Sequence, residues 1–511
     1  TSVTTGIRNT LVGGLSGDNI NTGNYNVALG MQALSGATSA SKNTAIGTGA
    51  LELFAGSNDT HNTAVGYLAG QVLSTGNQNT FVGALTGDAL ATGTDNVAIG
   101  YQALTTANSD ESRNVAIGAY TLKLLDNGST TNTYNTAVGY AAGENVTTGT
   151  YNTLIGALAG DALTTGSSSV AIGYRALTNE DTGGRNVAIG DNALAALNYD
   201  GMGYNTAIGF YAGAAMSTGN RNTVIGGLAG DALTEGNDNV AVGYGTLTTE
   251  NAHGRNTAVG MNALSSLDAG TDAYNVAVGY TAGALVSTGT FNTIVGGTAG
   301  DALTTGAANT VLGAEALSAE DTESFNTAIG TGALKVQDGG ASNTAVGREA
   351  GKSITTGDNN TIVGANAGDA LTTGSNNIII GKNAAASAVG VSNEITLGDG
   401  NISAIRAQVT SISSLSDKRD KKDIKNSVYG LEFLESLKPV TFEWDQRDGN
   451  RVGVKDLGFI AQDLQEVDDE YTRLVYESNP DKLEATYGRL IPILVKAIQD
   501  LSEEVKQLKN K

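Results

Sequence analysis

The chain has 511 residues, of which 70 are glycine, three proline and none cysteine, and its formal net charge is −22. No disulfide framework can hold it, so durability must come from backbone pairing and assembly. A surface of that sign repels phosphates and anionic headgroups, which argues against nucleic acid as a partner and against membrane insertion, and no stretch is apolar enough to span a bilayer as a helix. No signal peptide opens the chain, and the start at Thr1 leads us to expect that a segment has been removed upstream. The acidic excess is uneven: 13 Lys/Arg face 31 Asp/Glu before Ser416, against 16 and 20 from Ser416 onward.

In chain order, the first feature is a repeat. A motif Asn-Thr/Val-apolar-apolar-Gly recurs in 22 copies, from Asn9-Thr10-Leu11-Val12-Gly13 to Asn377-Ile378-Ile379-Ile380-Gly381. Ser169 is the one departure from Asn at its head, and a degenerate copy follows at Glu394-Ile395-Thr396-Leu397-Gly398. Most spacings are 17 residues and the exceptions run from 18 to 21, too short for helical-hairpin repeats of roughly 33 residues or more. Each unit offers a β-prone run, a Gly, a second run of small residues such as Tyr67-Leu68-Ala69-Gly70, and a polar turn. One unit therefore reads as one coil of a solenoid, its coils stacked by parallel pairing at about 4.8 Å, some 100 Å for the array. The heading Asn is expected in a tight turn at positive φ, and the Gly four residues on where a Cβ would clash.

A Gly-Asp step recurs with Asp18, Asp88, Asp161, Asp231, Asp301 and Asp369, which marks a super-repeat of four coils. Calcium ligands would need a G-G-x-G-x-D pattern, and a glycosidase needs a unique carboxylate pair, so these Asp residues read as turn formers. Aromatics before the Asn (Tyr134, Tyr151, Tyr274, Phe291) and after the Gly (Tyr67, Tyr101, Tyr140) read as ladders on neighbouring coils rather than sugar platforms. His61 and His253 are isolated along the chain, so neither a metal site nor a cofactor is expected.

The stretches "NTAVGYLAG", "NVAIGYQAL" and "NTAIGTGAL" resemble the head repeats of YadA-type trimeric adhesins, and similar arrays occur in phage tail fibres. The resemblance spans residues 9–400 and implies a left-handed parallel β-roll packed as a homotrimer, although 17-residue coils exceed the usual adhesin unit. A thin roll also buries little per chain, and lateral packing supplies the missing core. The fold expected is an all-β repeat solenoid over residues 1–400, a linker at 401–415, and a small α+β domain at 416–511 ending in a coiled-coil helix.

All three prolines and the single Trp444 lie beyond Gly400. In the last segment Ile491, Leu494, Ile498, Leu501, Val505 and Leu508 follow at spacings of 3 and 4, a heptad seam whose Ile/Leu content permits a trimer. The alternative is a helix packed on its own domain. The domain opens with Ser416-Asp417-Lys418-Arg419-Asp420-Lys421-Lys422-Asp423-Ile424, followed by Gly458-Phe459-Ile460-Ala461-Gln462-Asp463-Leu464 and by the stretch from Tyr487. These three blocks, in order, resemble the intramolecular chaperone domain of phage endosialidases and tail spikes. The resemblance implies a domain that templates trimer folding and then releases itself by one cut, between Leu415 and Ser416. It places the nucleophile at Ser416 and the base at Lys421. Lysine serves as a base when burial or nearby cations such as Lys418, Arg419 and Lys422 keep it neutral. Asp417 is expected to cap or orient the turn.

Three functions follow as expectations. The first is a homotrimeric phage tail-fibre shaft, located in the virion, that meets a host cell-surface glycan or protein through edge loops. The second is a bacterial trimeric adhesin on the extracellular surface. The third is a polysaccharide-degrading tail spike. The single-turnover autopeptidase step is the sole chemistry expected.

Overall fold

The computed structural model describes residues 3–106, 111–128, 132–402, 404–406, 408, 416–446, 452–477, 479–481 and 483–510. The chain divides into two compact units, residues 1–326 and 327–511. In the first, three-residue strands such as Thr80–Val82, Val97–Ile99 and Val115–Ile117 pair in parallel and in register, Ala98 opposite Ala116. The second unit begins with five more solenoid strands, from Thr327–Ile329 to Ile395–Leu397, paired the same way.

Alternation along each short strand dictates what is buried. The middle residue points inward and is fully buried, as Ala98, Ala116 and Phe81 are, while its Thr, Val or Ile neighbours stay half-exposed. Small Ala at most middle positions keeps the interior narrow. A second line of buried residues, including Leu34, Leu51, Leu73 and Leu104, fills it from the opposite side.

The second run of each unit is not strand. In Tyr67-Leu68-Ala69-Gly70, Leu68 (φ 55°) and Gly70 (φ 60°) are left-handed, which turns the chain twice and buries Ala69. A left-handed Leu costs about 1–2 kcal/mol. Hydrogen bonds to the coils on either side, Leu68 N to Thr48 O at 2.9 Å and Gly70 N to Thr86 O at 2.9 Å, hold the conformation.

The heading Asn also departs from its expected role. The positive φ falls on the residue before it, as at Gln78 (φ 59°), and Asn79 itself is fully buried. Its Oδ1 accepts from the backbone N–H of Asn96 on the next coil at 3.0 Å, and its Nδ2 donates to Gly93 O at 2.8 Å. Repeated along each unit, these contacts form a buried amide ladder that satisfies polar groups which strand pairing leaves over. The motif Gly behaves as expected: at Gly83 (φ 138°) a Cβ would meet Gly100 O at 2.6 Å.

The remainder of the second unit is a small α+β region. Helix α1 (Leu431–Ser436) precedes an antiparallel hairpin of Val440–Asp445 and Val452–Gly458, then come α2 (Ala461–Gln465), a two-residue pairing of Val475–Tyr476 with Glu484–Ala485, and α3 (Leu490–Lys509). Leu437, Leu464, Leu474, Val475 and Ile493 form its core. Asp468 ties this core together by accepting from Leu474 N at 2.7 Å, Val475 N at 3.0 Å and Thr472 Oγ1 at 2.6 Å.

Helix α3 divides its surface between two tasks. Ile493 and Ala497 pack into the core, so the helix does lie on its own domain. The heptad residues Ile491, Leu494, Ile498, Leu501, Val505 and Leu508 remain 40–70% exposed. Within the same unit, Tyr476 Oη donates to Glu394 at 3.2 Å and Asn479 Nδ2 donates to Ser387 O at 3.0 Å, which joins the last coils to the α+β region. Among the described residues no helix is long and apolar enough to cross a membrane.

Candidate autoprocessing site

Ser416 and Lys421 flank a single 3₁₀ turn, Lys418–Asp420. The turn forms because Asp417 caps it, accepting from Arg419 N at 2.8 Å. Five residues of chain thereby fold back on themselves, and Lys421 Nζ comes to 2.5 Å from Ser416 Oγ. Leu415, the other side of the expected cut, lies outside the described residues.

The electrostatics divide the cluster in two. Asp417 pairs with Arg419 at 2.7 Å, and that guanidinium holds the Asp417 carboxyl below its ordinary range while the carboxylate raises Arg419. Arg419 is therefore spent on Asp417, so one of the cations expected to act on Lys421 is neutralised. Asp417 shapes the turn, its side chain accepting from Arg419 alone among the hydrogen bonds of the described residues. Ser416 and Lys421 are both exposed. An ammonium in this geometry donates to the hydroxyl; acting as a base requires that its proton first be lost, which burial favours.

The two later sequence blocks meet in space. Tyr487 Oη sits where a Cβ on Gly458 would be, and it accepts from Phe459 N at 3.3 Å, with the Phe459 and Tyr487 rings 5.9 Å apart. Nearby, Tyr429 donates to Asp469, which pushes the phenol up to about 12 and holds the carboxylate down. On the solenoid, the aromatics stack from coil to coil: Tyr134 on Tyr151 at 5.4 Å and Tyr274 on Phe291 at 5.3 Å, each pair nearly parallel. Arginines cover the rings, with Arg113 over Tyr134 and Arg255 over Tyr274.

His253 is isolated in sequence, but the coils bring it together with Glu250 and Asp268. The signal was present as a Glu six residues before the motif Asn at 180, 250 and 320. It is hidden because the third member comes from the next coil.

A parallel β-solenoid joined to a small α+β region is the class that this structure defines. Residues 416–475 match the family model described as chaperone of endosialidase (Peptidase_S74), so the chain carries that domain in its C-terminal region. The match begins at Ser416 and includes Gly458–Leu464, while the block from Tyr487 lies beyond it. No curated protein and no solved structure matches the chain.

Proposed function

We propose that this chain is a homotrimeric phage tail fibre whose C-terminal domain templates trimer assembly and then cuts the Leu415–Ser416 bond. The observation that carries this reading is the chaperone-of-endosialidase match, which starts at Ser416 with Lys421 within hydrogen-bond reach. The exposed heptad face of α3 supports it, because six apolar side chains on one stripe call for equivalent helices to cover them. The shaft then presents edge loops to a glycan or protein on the host surface, in the virion.

In the cut, Ser416 Oγ attacks the Leu415 carbonyl carbon and gives its proton to neutral Lys421. The peptide C–N bond breaks, Lys421 passes the proton to the departing Ser416 nitrogen, and an ester links Leu415 to Oγ. Water then hydrolyses the ester, leaving a carboxylate at Leu415 and restoring the hydroxyl. Because the single chain exposes Lys421, the reading places activation after neighbouring chains have covered the pair.

Intact and native mass of freshly expressed protein test this. A trimer of fragments ending at Leu415 is expected from the wild type, and an uncleaved trimer from Ser416→Ala. Cleavage at the same bond in Ser416→Ala, or a full-length wild-type monomer, overturns the proposal.

A further inference from the structure

A glutamate stands six residues before the motif Asn in three successive super-repeats, Glu180, Glu250 and Glu320, and each is fully buried. The shared role is architectural. One carboxylate oxygen accepts from the backbone N–H three residues on: Gly183 at 2.8 Å, His253 at 3.1 Å and Glu323 at 3.1 Å. That contact turns the chain and accounts for the conservation of the position within the array.

It does not account for the second oxygen of Glu250. In the Glu180 coil, Oε2 is reached by Tyr199 N of the next coil at 3.4 Å. Glu250 Oε2 is buried with no hydrogen-bond partner, in a side chain of 0% exposure. At the position three residues on, where the sister coils have Gly183 and Glu323, this coil has His253. His253 Nδ1 is also buried without a hydrogen bond, although it lies 3.4 Å from Glu250 Oε1. From the next coil comes Asp268, exposed, within a cluster whose ligand atoms all lie within 4.8 Å of one another.

We propose that Glu250, His253 and Asp268 bind one divalent transition-metal ion of the Zn²⁺ class. One imidazole and two carboxylates are ligands such an ion accepts, with room for water in the remaining position. The ion satisfies the orphaned Glu250 oxygen and the imidazole nitrogen together, and the exposed Asp268 carboxylate closes the remaining distance. The ion would staple the coil holding Glu250 to the one holding Asp268.

The test uses the full-length chain, stripped with a chelator and titrated with Co²⁺ alone as an optical probe, then with Zn²⁺ as competitor. One Co²⁺ per chain is expected, displaced by Zn²⁺, with visible bands that report a nitrogen ligand. Asp268→Asn and His253→Ala should each weaken binding by more than about 100-fold, beyond the 10–100-fold typical of outer-shell losses. Asp268 is exposed, so its variant keeps the coil folded even where His253→Ala does not. Wild-type protein that takes up no Co²⁺, or an Asp268→Asn variant that binds it as tightly, overturns the proposal.

Discussion

The solenoid and the C-terminal region solve the same problem, how to satisfy polar backbone around little apolar mass, in opposite ways. Along the solenoid each coil hands its unpaired groups to the next, through strand pairing and through the Asn ladder. The C-terminal region has no such neighbour. It relies on single residues that each gather several bonds, such as Asp468 on Thr472, Leu474 and Val475, and it leaves a stripe of α3 uncovered. A repeat spreads risk over many equal contacts, whereas the small domain concentrates it in a few residues.

Damage should therefore be global in one region and local in the other. Ile498→Asp combined with Leu501→Asp places charge on the exposed seam without touching the core residues Ile493 and Ala497. For the trimer proposed above, the expected result is its loss, read by native mass as a full-length, uncleaved monomer. A variant that stays trimeric would break the comparison, because the shaft alone would then hold the chains together.

Asn79→Ala tests the other side. It removes the acceptor of Asn96 N–H and the donor to Gly93 O, both buried. Each orphaned group costs about 1–3 kcal/mol, so the loss should be about 2–6 kcal/mol. Hydrogen exchange should quicken at Asn96 and the adjoining coils and leave coils several super-repeats away unchanged. Uniformly faster exchange would mean that the array melts as one unit.

What the sequence revealed follows the same division. The period, the parallel stacking and the motif Gly were legible because they rest on contacts repeated with every unit, and the seam of α3 was legible because helical spacing survives in one dimension. The turn structure of the second run was not, since left-handed Leu68 and Gly70 are held by bonds to residues 48 and 86, respectively, on other coils. The role of Asn79 was missed for the same reason: a local turn is the ordinary use of Asn, and its partner lies 17 residues away. At Ser416 and Lys421 the resemblance supplied the pairing, but the capture of Arg419 by Asp417 is a three-dimensional fact.

The two regions should also answer acid differently. In the solenoid, ion pairs and hydrogen bonds lower Asp238, Glu323, Glu349 and Glu394, but burial raises Asp88, Asp231, Asp301 and Glu180. A raised folded-state value means that ionisation opposes folding, so stability rises as pH falls through those values towards the ordinary carboxylate range. In the C-terminal region Tyr429 lowers Asp469, Lys496 lowers Asp500, and hydrogen bonds outweigh burial at Asp468. Stability there is complete above the ordinary range, about pH 4, and is lost as pH falls through the depressed values. Calorimetry between pH 7 and pH 3 should show the C-terminal transition falling more steeply than the solenoid transition, whose opposed shifts partly offset. Two transitions that move together would refute this division.

The smallest effect comes from the one place where the ladder is weakest. Ser169 replaces the Asn, and Asn186 N reaches its Oγ at 3.4 Å where other rungs measure near 2.9 Å. Asn186 Nδ2 is left buried without a partner. Ser169→Asn should restore both contacts, because Asn79 in its own rung donates to Asn62 Oδ1 at 3.2 Å as well as accepting from Asn96 N. Space is not the obstacle: the equivalent Asn239 and Asn309 sit in coils that also bury Glu250 and Glu320, as this coil buries Glu180. The gain should be about 1 kcal/mol, measured as slower exchange at Asn186. A loss instead would mean that the coil is shaped around serine, and the ladder would then be a set of individually fitted rungs rather than one repeated device.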